Sequence, residues 1–210
     1  MAASPPSTNV KTMQKMKILI DNGHGSGTKG KCSPDGKHRE YLWARKFADK
    51  LVKMLQARGL DAQRIVTEES DITIKERCRR VNAICKALGA RNVLLVSIHN
   101  NAAGSDGKWH SARGWSAHVS KVASSRSKAL ACCLIGAVEC RGIMVRKYSP
   151  KEPYWTQDLG ICRDTNCAAV LTENLFQDNR EDVALLYDDA FVATLADAHA
   201  EGITQFIRSL

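Results

Sequence analysis

Two histidines and a glutamate stand where apolar runs give way to polar residues. The run Lys17-Ile-Leu-Ile-Asp-Asn22 leads into Gly23-His24-Gly25. A second run, Val93-Leu-Leu-Val-Ser-Ile98, leads into His99-Asn-Asn-Ala102. A third, Ala168-Ala-Val-Leu-Thr172, reaches Glu173-Asn-Leu-Phe176. Imidazoles and carboxylates bind metals and move protons near neutral pH. A buried strand that stops at such a residue presents it at the C-terminal edge, where open α/β sheets bind ligands. The glycines beside His24 allow a sharp turn and leave room around the ring. Three such strand ends predict two imidazoles and a carboxylate converging on one point.

The intervening segments must position those ends. A loop over 26–37, with Gly27, Gly30, Pro34 and Gly36, follows the first strand. Tyr41, Leu42, Ala44, Phe47, Ala48, Leu51, Val52 and Leu55 recur at helical spacing and predict a helix over about 39–58, closed by Gly59. Glu40 falls in its first turn, where the helix dipole favours a carboxylate that can point back to the sheet edge. A short strand over 60–67 comes next. Asp71 is a candidate cap for a helix reaching Leu88, with Ile74, Cys78, Val81, Ala83, Ile84 and Leu88 on its apolar side and Gly89 as its stop. The β-α-β-α-β order predicts an α/β fold, a sheet flanked by helices.

Beyond the second histidine strand, the pattern predicts a strand over 115–119, a helix over 124–140 and a short strand over 142–145. The stretch 148–164, bearing Pro153, Tyr154 and Trp155, is expected as a long irregular binding loop. Residues 179–210 form a final helical region with Val183, Leu186, Tyr187, Phe191, Leu195, His199, Ile203 and Phe206 on its apolar side. Internal repeats and interdomain linkers are absent.

With 210 residues, 44% hydrophobic and 25% charged, the chain fits one globular domain. No apolar run approaches the ~20 residues that cross a bilayer. Residues 1–15 are polar and read as a flexible N-terminal lead-in without the apolar core of a signal peptide, leaving 16–210 as the domain. The net charge of +9 favours anionic partners. Its lysines and arginines, among them Arg77, are spread along the chain and read mostly as solvated helix faces. Without a basic block interleaved with aromatics, and with aromatics at 6%, nucleic acid is a weakly supported partner. The eight cysteines lack any CxxC pair and read as reduced, small buried hydrophobes, Cys162 and Cys167 being the one pair worth checking for a disulfide.

Asp21-Asn-Gly-His24-Gly, Glu40 opening a helix, Ser97-Ile-His99-Asn-Asn-Ala and Leu171-Thr-Glu173-Asn-Leu-Phe together resemble the zinc-dependent N-acetylmuramoyl-L-alanine amidases of the type 3 amidase family. The likeness runs from Met16 onward. It implies a single α/β domain with a twisted, mainly parallel sheet between helices. It implies hydrolysis of the amide joining the lactyl group of muramic acid to the first L-alanine of the peptidoglycan stem. The resemblance assigns Zn2+ to His24, Glu40 and His99, and the catalytic carboxylate to Glu173. Two departures are Asn22, where the family usually has Pro, and the Glu173-Asn-Leu-Phe run, where the family often has Gly near the position of Asn174.

The chemistry agrees with the resemblance. Zinc with three protein ligands and an open position supplies a nucleophilic water and stabilises an oxyanion, and a further carboxylate can carry the water proton to the leaving amine. Each residue also has a plainer reading. A lone strand-end histidine is often structural. Glu40 can be a simple first-turn carboxylate, with Asp35 or a solvent-facing His38 as competing ligands. Glu173 can be a buried carboxylate paired with an arginine. His110 and His118 have no assigned context. Other function classes are a wall-binding relic without activity, a nucleic-acid binder and a zinc peptidase acting on stem peptides. The expected partners are peptidoglycan and anionic wall polymers. The expected route is synthesis in the cytoplasm and release to the wall, as for an endolysin, or export of an autolysin whose signal was removed.

Overall fold

The three apolar runs form β1 (Lys17–Asn22), β3 (Val93–Asn101) and β6 (Ala168–Phe176), which lie side by side. The computed structural model describes residues 16–210, so the lead-in expected over 1–15 lies outside the described residues. With β2 (Asp61–Arg64), β4 (Ser116–Ser120) and β5 (Trp155–Gln157), the sheet has the order β2-β1-β3-β6-β4-β5. The first four strands in that order are mutually parallel, β4 runs antiparallel to β6, and β5 is parallel to β4. This is the predicted single-domain α/β architecture with a mainly parallel sheet.

Helices cover both faces: α1 (Glu40–Ala57), α2 (Ile74–Leu88), α3 (Ser125–Glu139), α4 (Gly160–Arg163), α5 (Arg180–Leu186) and α6 (Asp189–Arg208). Alternation along the strands sorts the core in two. Ile18, Ile20, Leu94, Val96, Ile98 and Val170 pack against α1, α3 and α6. Leu19, Leu95 and Leu171 pack against α2 and α4. Burial on both faces is why the strands read as continuous apolar runs. At Gly202 of α6 an added Cβ would sit 2.8 Å from the Leu134 Cα, so only glycine lets α3 and α6 approach this closely.

Several local expectations give way to tertiary packing. On α1, Trp43 turns inward and Leu42 is 42% exposed, because Ala44, Phe47, Ala48, Leu51 and Leu55 define a face almost opposite Leu42. Ile74 and Leu88, at the two ends of α2, are likewise exposed. Thr73 caps α2, accepting from the Glu76 N–H at 3.2 Å, whereas Asp71 accepts from the Thr28 hydroxyl. The strand expected over 142–145 reduces to a single bridge between Trp115 and Val145. The stretch 148–164 is not irregular throughout, since it contains β5 and α4. The final region divides into α5 and α6, each with its own cap, Asn179 and Asp188. All eight cysteines are free; Cys78, Cys85 and Cys162 are buried as expected, but Cys132 and Cys140 are exposed.

His199 of α6 is fully buried, with its ring edge-on to Phe47 and Trp115 at 5.2 and 5.6 Å. Its Nδ1 lies 2.8 Å from the Leu195 carbonyl and its Nε2 3.3 Å from the Thr172 hydroxyl. Burial pushes its pKa down to about 4 despite the Leu195 hydrogen bond. An unfolded histidine titrates near ~6.5, so the unfolded chain binds the extra proton first. Stability from this site is therefore complete above about pH 6.5 and is lost as pH falls toward 4. His199→Gln is expected to flatten the decline of Tm between pH 6.5 and 4.5, measured by circular dichroism. An equally steep decline in the variant would show that His199 is not held neutral by the core.

Candidate active site

The C-terminal end of β1 carries His24 in the left-handed region, at φ 59°. That conformation costs a non-glycine residue about 1–2 kcal/mol. Two guanidinium groups hold it, because the His24 carbonyl accepts from Arg45 Nη1 and Arg77 Nη2, each at 3.1 Å. The preceding residue must be glycine, since a Cβ on Gly23 would lie 2.3 Å from the His99 ring. The His24 and His99 rings then meet edge to face, 4.8 Å apart.

Arg77 is not a solvated charge, as the sequence suggests, but is 2% exposed on the inner face of α2. It pairs with buried Asp21 at 2.5 Å and donates to the carbonyls of Asn22 and Ile72, each at 2.7 Å. The other Asp21 oxygen accepts from the Ser97 hydroxyl on β3. The spacing Arg77, Val81, Cys85 along one helical face is the signal that places Arg77 inside.

Glu40 opens α1, and its carboxylate is fully buried. Its Oε1 accepts from the Asn100 N–H at 3.0 Å and lies 3.0 Å from His99 Nδ1 and 3.4 Å from His24 Nε2. Burial alone would raise its pKa, but the adjacent His24 and His99 imidazoles hold it below the usual carboxylate range. Ligating atoms of His24, Glu40 and His99 all lie within 4.8 Å of one another. His24 Nε2 and Glu40 Oε2 are buried with no hydrogen-bond partner among the described residues. Unspent donors of this type and number suit a divalent cation such as zinc.

Neither competing ligand joins the cluster. Asp35 accepts from the Ser33 hydroxyl and the Lys37 N–H within its own loop. His38 is fully buried, which corrects the expectation that it faces solvent. The loop folds back through the Cys32–Arg39 bridge, and the His38 N–H donates to the Ser33 hydroxyl. The His38 Nε2 meets the side-chain oxygen of Asn100 at 3.0 Å, supporting the residue whose N–H holds Glu40.

Glu173 stands in register with His99 across the parallel β3–β6 pairing. Its Oε2 is buried and has no hydrogen-bond partner among the described residues, so the arginine pairing considered from the sequence is absent there. Burial pushes its pKa up to about 7; nearby His99 opposes this and Glu40 adds to it. The strand continues past Glu173 to Phe176 through Leu175, whose φ is 64°. A left-handed conformation is one that glycine adopts without strain, and here leucine holds it. Asn174 ties the strand ends together, donating to the His99 carbonyl at 3.0 Å and accepting from the Trp115 indole at 2.9 Å. His110 is not a member of this cluster and meets Asp106 at 2.9 Å. A cavity of about 310 Å³, bordered by His24, His99, Asp71 and Thr73, opens beside the cluster.

The family model described as N-acetylmuramoyl-L-alanine amidase, Amidase_3, matches residues 18–205. The chain belongs to that family. The resemblance read from its strand-end residues is borne out. The endolysin of Bacillus phage SPP1 is 32% identical over 193 residues, covering 90% of this chain and 65% of that protein. The probable cell wall amidase LytH of Staphylococcus epidermidis is 23% identical, covering 91% and 58%. The chain thus spans less than two thirds of the length of either relative. Among solved structures, the catalytic domain of CwlV from Bacillus (Paenibacillus) polymyxa superposes with a TM-score of 0.75 at 24% identity, covering 91% of this chain and 97% of that one. Ami1 from Mycobacterium smegmatis gives 0.77 at 18% identity, covering 93% and 98%. These structural likenesses carry the fold.

Arg77→Met would leave Asp21 charged, buried and unpaired. Breaking a buried pair from one side costs about 3–5 kcal/mol. Urea unfolding is expected to show a loss of that size. A loss below about 1 kcal/mol would mean that Asp21 finds water or takes up a proton without cost.

Proposed function

We propose that residues 16–210 form a zinc-dependent N-acetylmuramoyl-L-alanine amidase that hydrolyses the amide between the muramic acid lactyl group and the first stem-peptide L-alanine. The observation that carries this reading is the convergence of His24, Glu40 and His99 within 4.8 Å, with Glu173 in register beside His99. Membership of the amidase family supports it. Similarity to a phage endolysin and to a probable cell wall amidase supports the bacterial wall as the place of action.

His24, Glu40 and His99 would hold the metal. When bound, zinc supplies Lewis acidity toward water and toward the substrate carbonyl oxygen. Two neutral imidazoles and one carboxylate neutralise only half of a divalent charge, so they leave the site favourable to a developing oxyanion. Glu173 takes the proton from the attacking water and returns it to the departing amine. A carboxyl whose pKa lies near 7 is suited to both steps. Arg45 and Arg77 fix the His24 backbone, while Asn100 fixes Glu40. The ligands are thereby oriented before substrate arrives.

Two variants test the assignment, with zinc measured by plasma mass spectrometry and product release from purified wall by chromatography. His24→Ala is expected to lose stoichiometric zinc and activity together. Glu173→Gln keeps the size of the side chain but not its basicity. Its activity should fall by about 10²–10⁴-fold with zinc retained. Loss of zinc in Glu173→Gln would make Glu173 a ligand, and near-normal turnover would remove it from the proton path.

A further inference from the structure

A second cavity holds chemistry that the proposed hydrolysis does not use. It has a volume of about 300 Å³ and is bordered by Ser116, His118, Arg146, Trp155 and Phe176. Ser116 sits directly opposite Glu173 in the antiparallel β4–β6 ladder. Opposed residues project from the same face with Cβ atoms about 4.5–5.5 Å apart, so this cavity begins beside Glu173. The cavity at His24 and His99 lies across β1 and β3 on the other side. Glu173, on β6, stands between the two.

The two cavities differ in the charge they offer. Arg77, in the first, is committed to Asp21 and to backbone carbonyls. Arg146, in the second, is half-buried, with its guanidinium 4.9 Å from the centre of the Phe176 ring. Neighbouring ion pairs join Lys147 to Glu139 and Arg163 to Asp158, and Arg146 has no acidic partner among the described residues. Next to it, His118 is 4% exposed. Its Nε2 lies 2.9 Å from the Ser116 hydroxyl, and its Nδ1 is buried without a partner among the described residues. His118 borders the cavity beside Ser116, but its Nδ1 is enclosed and not open to a ligand there. The Trp155 ring stacks on His118 at 6.3 Å and 20°, and its indole N–H donates to the Arg146 carbonyl at 2.9 Å. Trp155 thus braces His118 and Arg146.

We propose that this cavity is a carboxylate-binding subsite that holds a free carboxyl group on the peptide arm of the substrate. A stacked guanidinium without an acidic partner offers a planar, charged fork that matches a carboxylate. The inference rests on the amidase reading for its choice of ligand. In such a substrate the sugars carry hydroxyl and acetamide groups, and the lactyl carboxyl is consumed in the scissile amide. Free carboxylates therefore lie on the peptide side, and the cavity with the unpaired cation receives that side. The glycan then extends toward the cavity at His24 and His99.

Two soluble muramoyl peptides of one sequence, one with free carboxyl groups and one with carboxamides, test this. Zinc-loaded wild-type protein is expected to favour the acid form by about tenfold in KM, the scale of one charge-assisted contact. Arg146→Gln should lose that preference through the KM of the acid form, and Arg146→Lys should retain part of it. Zinc content and Tm establish that each variant is folded, and Arg146→Lys carries the test if Arg146→Gln is not. Turnover of both peptides without preference in wild type, or preference surviving in Arg146→Gln, overturns the subsite and leaves the amidase reading standing. If neither peptide is cleaved, calorimetry on metal-stripped protein separates the two ideas. Binding of the acid form that depends on Arg146 upholds the subsite while the amidase reading fails. Absence of such binding overturns the subsite as well.

Discussion

The buried pair between Arg77 and Asp21 ties together the elements that make the site. Two charges withdrawn from water are stable only when their remaining donors and acceptors are satisfied. Here the guanidinium reaches Asp21, the carbonyls of Asn22 and His24, and the Ile72 carbonyl ahead of α2, while Asp21 also accepts from Ser97 on β3. One side chain thus joins the end of β1, the start of α2 and the neighbouring strand. It also holds the carbonyl of a histidine in a left-handed conformation. The position of His24 is therefore a consequence of α2 packing on the sheet, and not of the Gly-flanked turn alone.

Register does the rest of the positioning. Ile98 pairs with Thr172 and His99 with Glu173, so the imidazole and the carboxylate project side by side from adjacent parallel strands. Beyond them the regular ladder breaks between His99 and Asn101, and Leu175 takes up a positive φ. The Asn174 side chain bridges this irregularity by bonding to the His99 carbonyl and to Trp115. Backbone conformations that are costly in isolation are thus over-determined by hydrogen bonds around them. Both fall within a residue or two of the cluster.

Two glutamates in one site acquire opposite character from their surroundings. Glu40 has histidines and a backbone N–H aimed at it, which favour its anion. Glu173 is half-buried with an enclosed, unpartnered Oε2, and its pKa rises to about 7. That divergence matches the roles proposed for them, ligand and proton carrier. Pairs of carboxyls driven apart by environment are a general means of dividing acid–base labour.

The sequence alone determined the strand ends, the α/β class and the family. Apolar runs buried on both faces must stop somewhere, and His24, His99 and Glu173 mark where they do. Glu40 was legible by position only as a first-turn carboxylate favoured by the helix dipole, and as a ligand only through the family resemblance. Arg77 shares a helical face with Val81 and Cys85, a signal easily lost among the many charges of a chain of net charge +9, and no local signal reaches His38 or His118. Their burial depends on which helix or loop folds over them, a matter of contacts between segments dozens of residues apart. The same holds for Leu42 and Trp43, exchanged between solvent and core by the direction in which α1 packs. Pairing partners, the order of strands and the placing of Arg146 over Phe176 are properties of the assembled sheet. Only the tertiary structure decided them, because periodicity fixes which face of an element is apolar but not what that face meets.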